Sequence, residues 1–286
     1  MTLMHMSLLF LTNSNSMMVK RVLYPGESWV YYKIYCSPRT ADKLLSGPIK
    51  TLVEQLKEKD LIKKWFFIRY QDPDYHIRLR LEKSEEADMN IVSQLLKHSL
   101  SYQLDHQLIH KITVDTYMRE IERYGAQTIV QCEEIFHIDS ELAITITSLS
   151  LSDQQLMAWT LDHLRHYVRC FDLREDQVKP FYKKSRDTFF EEFGVIGKNK
   201  AAFRKKNEND KEIIDHFTLS DHTDYRLIQS KRGKITDLIG QILPLGDSNS
   251  PSKESLLSSL VHMSVNRLYR DEQRTFEMLC YDYLCR

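Results

Sequence analysis

Hydrophobic positions in the first part of the chain alternate between two periods. The segments SWVYYKIYCS, WFFIRY, HIRLRL and HKITVDTYM are rich in β-branched and aromatic residues and read as strands, the first ending at Pro38. Between the first two, Leu44, Leu45, Ile49, Leu52, Val53 and Leu56 recur at helical spacing up to Asp60. Ser37 or Thr40 is the expected cap, and Gly47-Pro48 an expected irregularity. A turn at Asp72-Pro73-Asp74 joins the middle strands. A second helix is predicted from near Ser84 to about His98 or Leu104, with Glu85, Glu86 and Asp88 in a first turn where the helix dipole favours acids. The order β-α-β-β-α-β predicts a ferredoxin-like antiparallel sheet with both helices on one face.

From Arg119 onward the period is almost wholly helical: Ile129 to Ile146, Ser152 to Phe171, Gln177 to Phe193, Tyr225 to Leu243 and Pro251 to Leu284. The fold class expected is therefore α+β, a sheet half over 21–118 and a helical half over 119–286 forming one domain. Residues 1–20 read as a loose tail, with Met1, Met17 or Met18 as the start. Gly197 to Lys211 is polar and basic and reads as a mobile surface loop. Ser250 is the expected N-cap of the last helical stretch, with Pro251 at its first position.

One strand carries an unusual alternation. In HIRLRL, Ile77, Leu79 and Leu81 occupy one face and His76, Arg78 and Arg80 the other, because successive strand residues point to opposite sides. The aliphatic face belongs under the helices. The basic face needs another cover, and the helical half is the expected one. Arg69 is expected on the neighbouring strand, and MREIERYG adds Arg119 and Arg123 just past the last strand. Guanidiniums gathered on one cleft are suited to holding carboxylate or phosphate. In HMSVNRLYRDEQR, Leu257, Leu260, Val261, Ser264 and Leu268 form the inward stripe, while His262 and Asn266 share another face that meets either solvent or a cleft.

Charge narrows the function classes. Lys+Arg and Asp+Glu are 40 each, so no overall basic field draws nucleic acid or membrane and any anion site is local. The five cysteines have no C-x-x-C spacing, which argues against a disulfide framework or zinc knuckle and fits a reducing cytoplasm. His163, His166 and Cys170 have helical spacing but no further ligand clustered nearby, so neither a metal nor another cofactor is expected. The opening apolar run, Leu8 to Leu11, is too short for a membrane span or signal peptide. Phosphate-loop, dinucleotide and G-x-S-x-G fingerprints are absent from the sequence.

Taken together and in order, WFFIRYQDPDYHIRLRL, REIERYG, EEIFHIDS and HMSVNRL resemble the C-terminal elimination domain of lanthipeptide dehydratases, which also occurs alone as a thiopeptide-type bacteriocin biosynthesis protein. The resemblance runs from about Val22 to Leu268. It implies a lyase: a separate subunit esterifies Ser or Thr of a precursor peptide with glutamate from glutamyl-tRNA, and this chain expels that glutamate to leave dehydroalanine or dehydrobutyrine. By the same resemblance Arg78, Arg80 and Arg119 hold the glutamyl group and His262 moves a proton. Arg69, His76, Arg123 and Asn266 are added as substrate-binding candidates. Ala126 stands where the family commonly has a second glycine. Implied partners are the precursor peptide and the glutamylating subunit, without direct nucleic-acid contact; whether the chain forms a homodimer is left open by the sequence. The rival readings are a thiopeptide pyridine synthase, a non-catalytic peptide-binding accessory subunit and, from the basic sheet face, an RNA-binding module.

Overall fold

The computed structural model describes residues 19–195, 211–246 and 250–286. The expected tail to residue 18 and the expected loop from Gly197 lie outside the described residues, apart from Val19, Lys20 and Lys211.

Four long strands, β2 (Trp29–Cys36), β3 (Ile62–Gln71), β4 (Tyr75–Lys83) and β5 (Ile109–Asp115), form an antiparallel sheet in the order β3-β4-β2-β5. A small second sheet pairs β1 (Val22–Leu23) with β6 (Tyr117–Met118), the latter immediately after β5. Ser37 caps α1 (Pro38–Leu44) by accepting from the Thr40 amide at 3.2 Å. The chain then makes a π-helical turn over Leu45–Ile49, where Pro48 supplies no amide donor, and resumes as α2 (Lys50–Glu58). The irregularity predicted at Gly47-Pro48 is this turn.

The second helix starts later than its acidic run suggests. Asp88 is the N-cap of α3 (Met89–Ser99), accepting from the Asn90 amide at 2.8 Å, and a short α4 (Ser101–Asp105) follows. Residues 84–88 instead form a connection anchored by the Ser84 amide on the Leu61 carbonyl.

The helical half comprises α5 (Ile121–Tyr124), α6 (Ile129–Ser148), α7 (Asp153–Cys170), α8 (Glu175–Glu192), α9 (Lys211–His216), α10 (Tyr225–Ile242), α11 (Lys253–Leu268) and α12 (Gln273–Leu284). Ser152 and Gln155 close a capping box at the start of α7. Two boundaries differ from the sequence reading. Ser252, not Ser250, caps α11, leaving Pro251 outside the helix, and the stretch to Leu284 breaks after Leu268 into two helices. None of the described helices is long and apolar enough to cross a membrane.

The two halves meet along the outer edge of β3. Side chains of α6 and α11 satisfy backbone groups that an edge strand would otherwise leave open. The Trp65 carbonyl takes a bond from His137 Nδ1 at 3.0 Å, and Ser140 Oγ accepts from the Phe67 amide. Arg267 Nε donates to the Phe67 carbonyl, and the Asn266 amide group pairs in both directions with the Arg69 backbone at 2.9 and 2.8 Å. Behind this seam, buried Asp139 on α6 accepts from Arg267 at 2.9 Å and Ser264 at 2.9 Å, with His163 at 3.3 Å. Burial alone would raise the Asp139 carboxyl, but His163, Arg267 and Ser264 hold it below its ordinary value.

Candidate functional site

The strand register decides what surrounds the basic residues. Ile77, Leu79 and Leu81 are fully buried on the face that packs under the early helices. On the opposite face, Arg80 lies between Tyr31 of β2 and Phe66 of β3, Arg78 between Lys33 and Ile68, and His76 between Tyr35 and Tyr70. The helical half covers this face only at the Phe66 end, where Phe136 of α6 packs on Phe66. It docks at the β3 edge, while Tyr117 of β6 closes the Arg80 end and leaves Tyr70 and Arg78 partly open.

Arg80 is 8% exposed and sits in an aromatic box, its Cζ 4.4 Å from the Tyr31 ring centre, 4.8 Å from Tyr117 and 5.2 Å from Phe66. Its Nε has no hydrogen-bond partner, and no carboxylate forms an ion pair with it among the described residues. Burial pushes its pKa down, an effect partly offset by the tyrosines. Ring faces contribute about 0.5–2 kcal/mol each to a cation, which does not replace the lost hydration of a buried charge. An anion arriving at Arg80 would supply what the fold withholds.

Arg78 stacks on Tyr70 with Cζ 3.3 Å from the ring centre and donates from Nε to His76 Nε2 at 3.2 Å. His76 is buried, and its Nδ1 lies 2.8 Å from the Asp74 carbonyl, so Nδ1 carries the proton and Nε2 accepts. Burial holds this imidazole below its ordinary pKa, the Asp74 carbonyl opposing and Arg78 reinforcing the effect. His76 therefore orients Arg78. Lys33 beside it is already paired with Asp115.

Several sequence candidates are occupied elsewhere. Arg69 pairs with Ile77 in the register and so points to the helix-covered face, where Asp42 of α1 holds it at 2.7 Å. Asn266 is committed to the β3 edge. Arg119 is buried in a bidentate pair with Glu133 of α6 at 2.7 and 2.8 Å, and Tyr117 Oη donates to the same carboxylate at 2.8 Å. Burial opposes the Arg119 charge, but Glu133 holds its pKa above the usual value. The Arg119–Glu133 pair thus locks the ring that closes the box over Arg80.

Arg123 is different. Half exposed on α5, it pairs among the described residues only with Glu120, i,i+3 at 3.1 Å, and lines a cleft of about 690 Å³ together with His262, Lys184 and Arg274. Gly125, just past Arg123, has φ +79°, and a Cβ there would come within 2.6 Å of Thr128 Oγ1, so only glycine allows this turn. The structure therefore gathers Arg78 and Arg80 on the sheet face and Arg123 with His262 in the cleft. Glu120 pairs with Arg123, and its negative charge also favours the charged form of Arg80. His262 Nδ1 lies 2.7 Å from Glu277 Oε2 on α12. The sequence reading missed Tyr117, Glu120, Glu133 and Glu277. Glu120 was visible inside REIERYG, whereas Glu277 lies a helix away from His262 with no local signal.

No described cluster of three or more His, Cys, Asp and Glu residues is arranged to hold a metal. His163 is engaged by Asp139, and His166 and Cys170 by Arg232 and Thr236 of α10. None of the five cysteines forms a disulfide with another described residue.

Residues 29–286 match the family described as lantibiotic biosynthesis dehydratase, C-terminal. The chain belongs to this family. It is 25% identical over 265 residues to the subtilin biosynthesis protein SpaB of Bacillus subtilis and 24% over 272 residues to the nisin biosynthesis protein NisB of Lactococcus lactis subsp. lactis. These alignments cover 87% and 92% of this chain but 24% and 26% of those proteins, so the chain spans about a quarter of their length. Its fold is similar to that of the tRNA-dependent lantibiotic dehydratase MibB from Microbispora sp. 107891, with a TM-score of 0.63 and 17% identity over 92% of this chain and 28% of that one. It is also similar to TbtD, a pyridine synthase from thiomuracin biosynthesis, with a TM-score of 0.60 and 10% identity over 91% of this chain and 96% of that one. TsrL is a third such structure, at a TM-score of 0.58 and 12% identity over 89% of this chain and 94% of that one.

Proposed function

We propose that this chain is the elimination unit of a lantibiotic-type dehydratase system, a lyase that expels glutamate from glutamylated Ser or Thr of a precursor peptide. The reading rests on its family and is carried by one observation, the buried Arg80 guanidinium that lacks a carboxylate partner among the described residues. In the reaction the Cα proton leaves, the Cα–H electron pair becomes the Cα=Cβ bond, and the Cβ–O bond breaks with its electrons departing on the glutamate α-carboxylate. Charge develops on that carboxylate, so preorganised cations lower the barrier. Arg80 and Arg78 hold the glutamyl carboxylates, and His76 aims Arg78. Arg123 replaces Arg119 as the third arginine, because Arg119 is consumed by Glu133 while Arg123 shares the cleft with His262. His262 moves the proton.

The sheet half is read as ferredoxin-like, which the antiparallel order β3-β4-β2-β5 supports. Glutamylation belongs to a glutamyl-tRNA-dependent partner. Tested on a synthetic glutamyl-serine peptide, the protein should release free glutamate and dehydroalanine, and it should leave the unmodified peptide intact, both followed by mass spectrometry. Dehydration of free peptide without a glutamyl donor, or an untouched ester, would refute the reading. Because TbtD covers so much of this fold, pyridine formation is the second reading. A peptide bearing two dehydroalanines decides it: conversion to a pyridine would displace elimination.

A further inference from the structure

Glu277 stands apart from the other buried acids of the helical half. Its side chain is 4% exposed, and its ion pair among the described residues is with His262, whose side chain is 26% exposed at the cleft. The comparable acids are neutralised by arginine: Glu133 by Arg119, and Asp139 by Arg267. A buried carboxylate is costly unless paired with a cation, and an arginine supplies one permanently. An imidazole supplies a full positive charge only when it takes up a proton. Glu277 is thus placed to gain a full partner at the moment His262 becomes a base.

The contact also fixes which nitrogen is free. An ionised carboxylate accepts and cannot donate, so with Glu277 ionised the hydrogen of the 2.7 Å contact to Oε2 sits on His262 Nδ1. No described hydrogen bond engages Nε2. We propose that Glu277 is a positioning residue that holds His262 as the Nδ1–H tautomer, leaving Nε2 in the cleft as the acceptor of the substrate Cα proton. The proposal rests on the elimination reading for its substrate. The proton moves from Cα to Nε2 as the Cα=Cβ bond forms and glutamate leaves. The imidazolium is then stabilised by Glu277 and returns the proton to solvent.

Two measurements test this on the full chain. Long-range nitrogen-15 NMR of histidine-labelled protein, without substrate, should show the Nδ1–H tautomer at His262. In Glu277→Gln the amide can donate to Nδ1 and release the Nε2–H form. With glutamyl-serine peptide, Glu277→Gln should lose about 100-fold in kcat with KM within about threefold, since wrong-tautomer variants of such dyads lose up to about 10⁴-fold. Glu277→Asp, which keeps the charge, should recover part of kcat. Unchanged circular dichroism and Tm in Glu277→Gln would separate this loss from misfolding. An Nε2–H tautomer in the wild type, or wild-type kcat in Glu277→Gln, would overturn the proposal. Wild-type protein inert towards the ester would instead refute the elimination reading, and the NMR arm would still decide the tautomer.

Discussion

Arg80 is enclosed by three aromatic rings, with no carboxylate paired to it among the described residues, and that arrangement ties its role to its cost. Replacing a poorly compensated buried charge by an apolar side chain of similar length is often neutral or stabilising. Arg80→Met should therefore keep or raise Tm while elimination falls about 100-fold, in line with removal of one preorganised donor to a developing anion. Equal turnover would return the strip to a scaffold role. Arg119 predicts the reverse. Arg119→Ala strands Glu133 in the core and should lower stability by about 3–5 kcal/mol in urea denaturation. In the double variant Arg119→Met with Glu133→Leu no charge is stranded, so much of that stability should return. If folded double variant eliminates within about tenfold of wild type, Arg119 is structural; complete loss with an intact fold would restore it to the site.

At the scale of elements, α6 is the joint of the molecule. Its Glu141 is held by Lys57 of α2 at 2.8 Å and by Lys231 of α10, tying the sheet half to the helical half. Burial would raise the Glu141 carboxyl, but His137, Lys231 and Lys57 bring it to about 2. A folded pKa below the unfolded one means stability that is present above about pH 4.5 and lost as pH falls towards 2. Glu141→Gln should flatten the acid limb of stability between pH 4.5 and 2, with at most about 3 kcal/mol at stake before solvent screening. An unchanged acid limb, read by denaturation midpoints across that range, would show that the clamp is idle. The α11 seam is more local. Asn266→Ala leaves two Arg69 backbone groups without partners and should cost about 1–3 kcal/mol, with any loss of turnover following loss of fold.

Across the whole molecule, the sheet is not self-sufficient. Its β3 edge is finished by His137, Ser140, Asn266 and Arg267, and its aromatic face is continued by Phe136, whose ring centre is 5.3 Å from that of Phe66. We propose that residues 21–286 form one cooperative unit. Residues 21–118 expressed alone should then aggregate or bind hydrophobic dyes, because they would expose an unpaired edge and the Trp65–Phe66–Phe67 run. Far-ultraviolet circular dichroism and tryptophan fluorescence of the full chain should unfold in coincident transitions. Separate transitions, or a soluble folded fragment, would show two independent halves.

The alternation in HIRLRL was enough to divide its faces, since the two-residue period of a strand leaves no other arrangement, and the helical period placed most of the later helices. The β-α-β-β-α-β order and the basic strip were legible for the same local reason. Helix ends were less so: the acidic run after Ser84 fits a first turn as well as a loop, and only the Ser84–Leu61 backbone contact decided for the loop. Which arginine is free and which is bound could not be read at all. Arg119 and Arg123 are both basic residues of REIERYG, four apart, and the difference is a carboxylate on another helix, Glu133, buried beside one and absent from the other. His262 was visible as a polar residue off the apolar stripe, but its partner Glu277 is on a separate helix. Sequence determines what each segment does through neighbours a few residues away; which distant charge meets which depends on how whole helices pack, and only the tertiary structure fixes that.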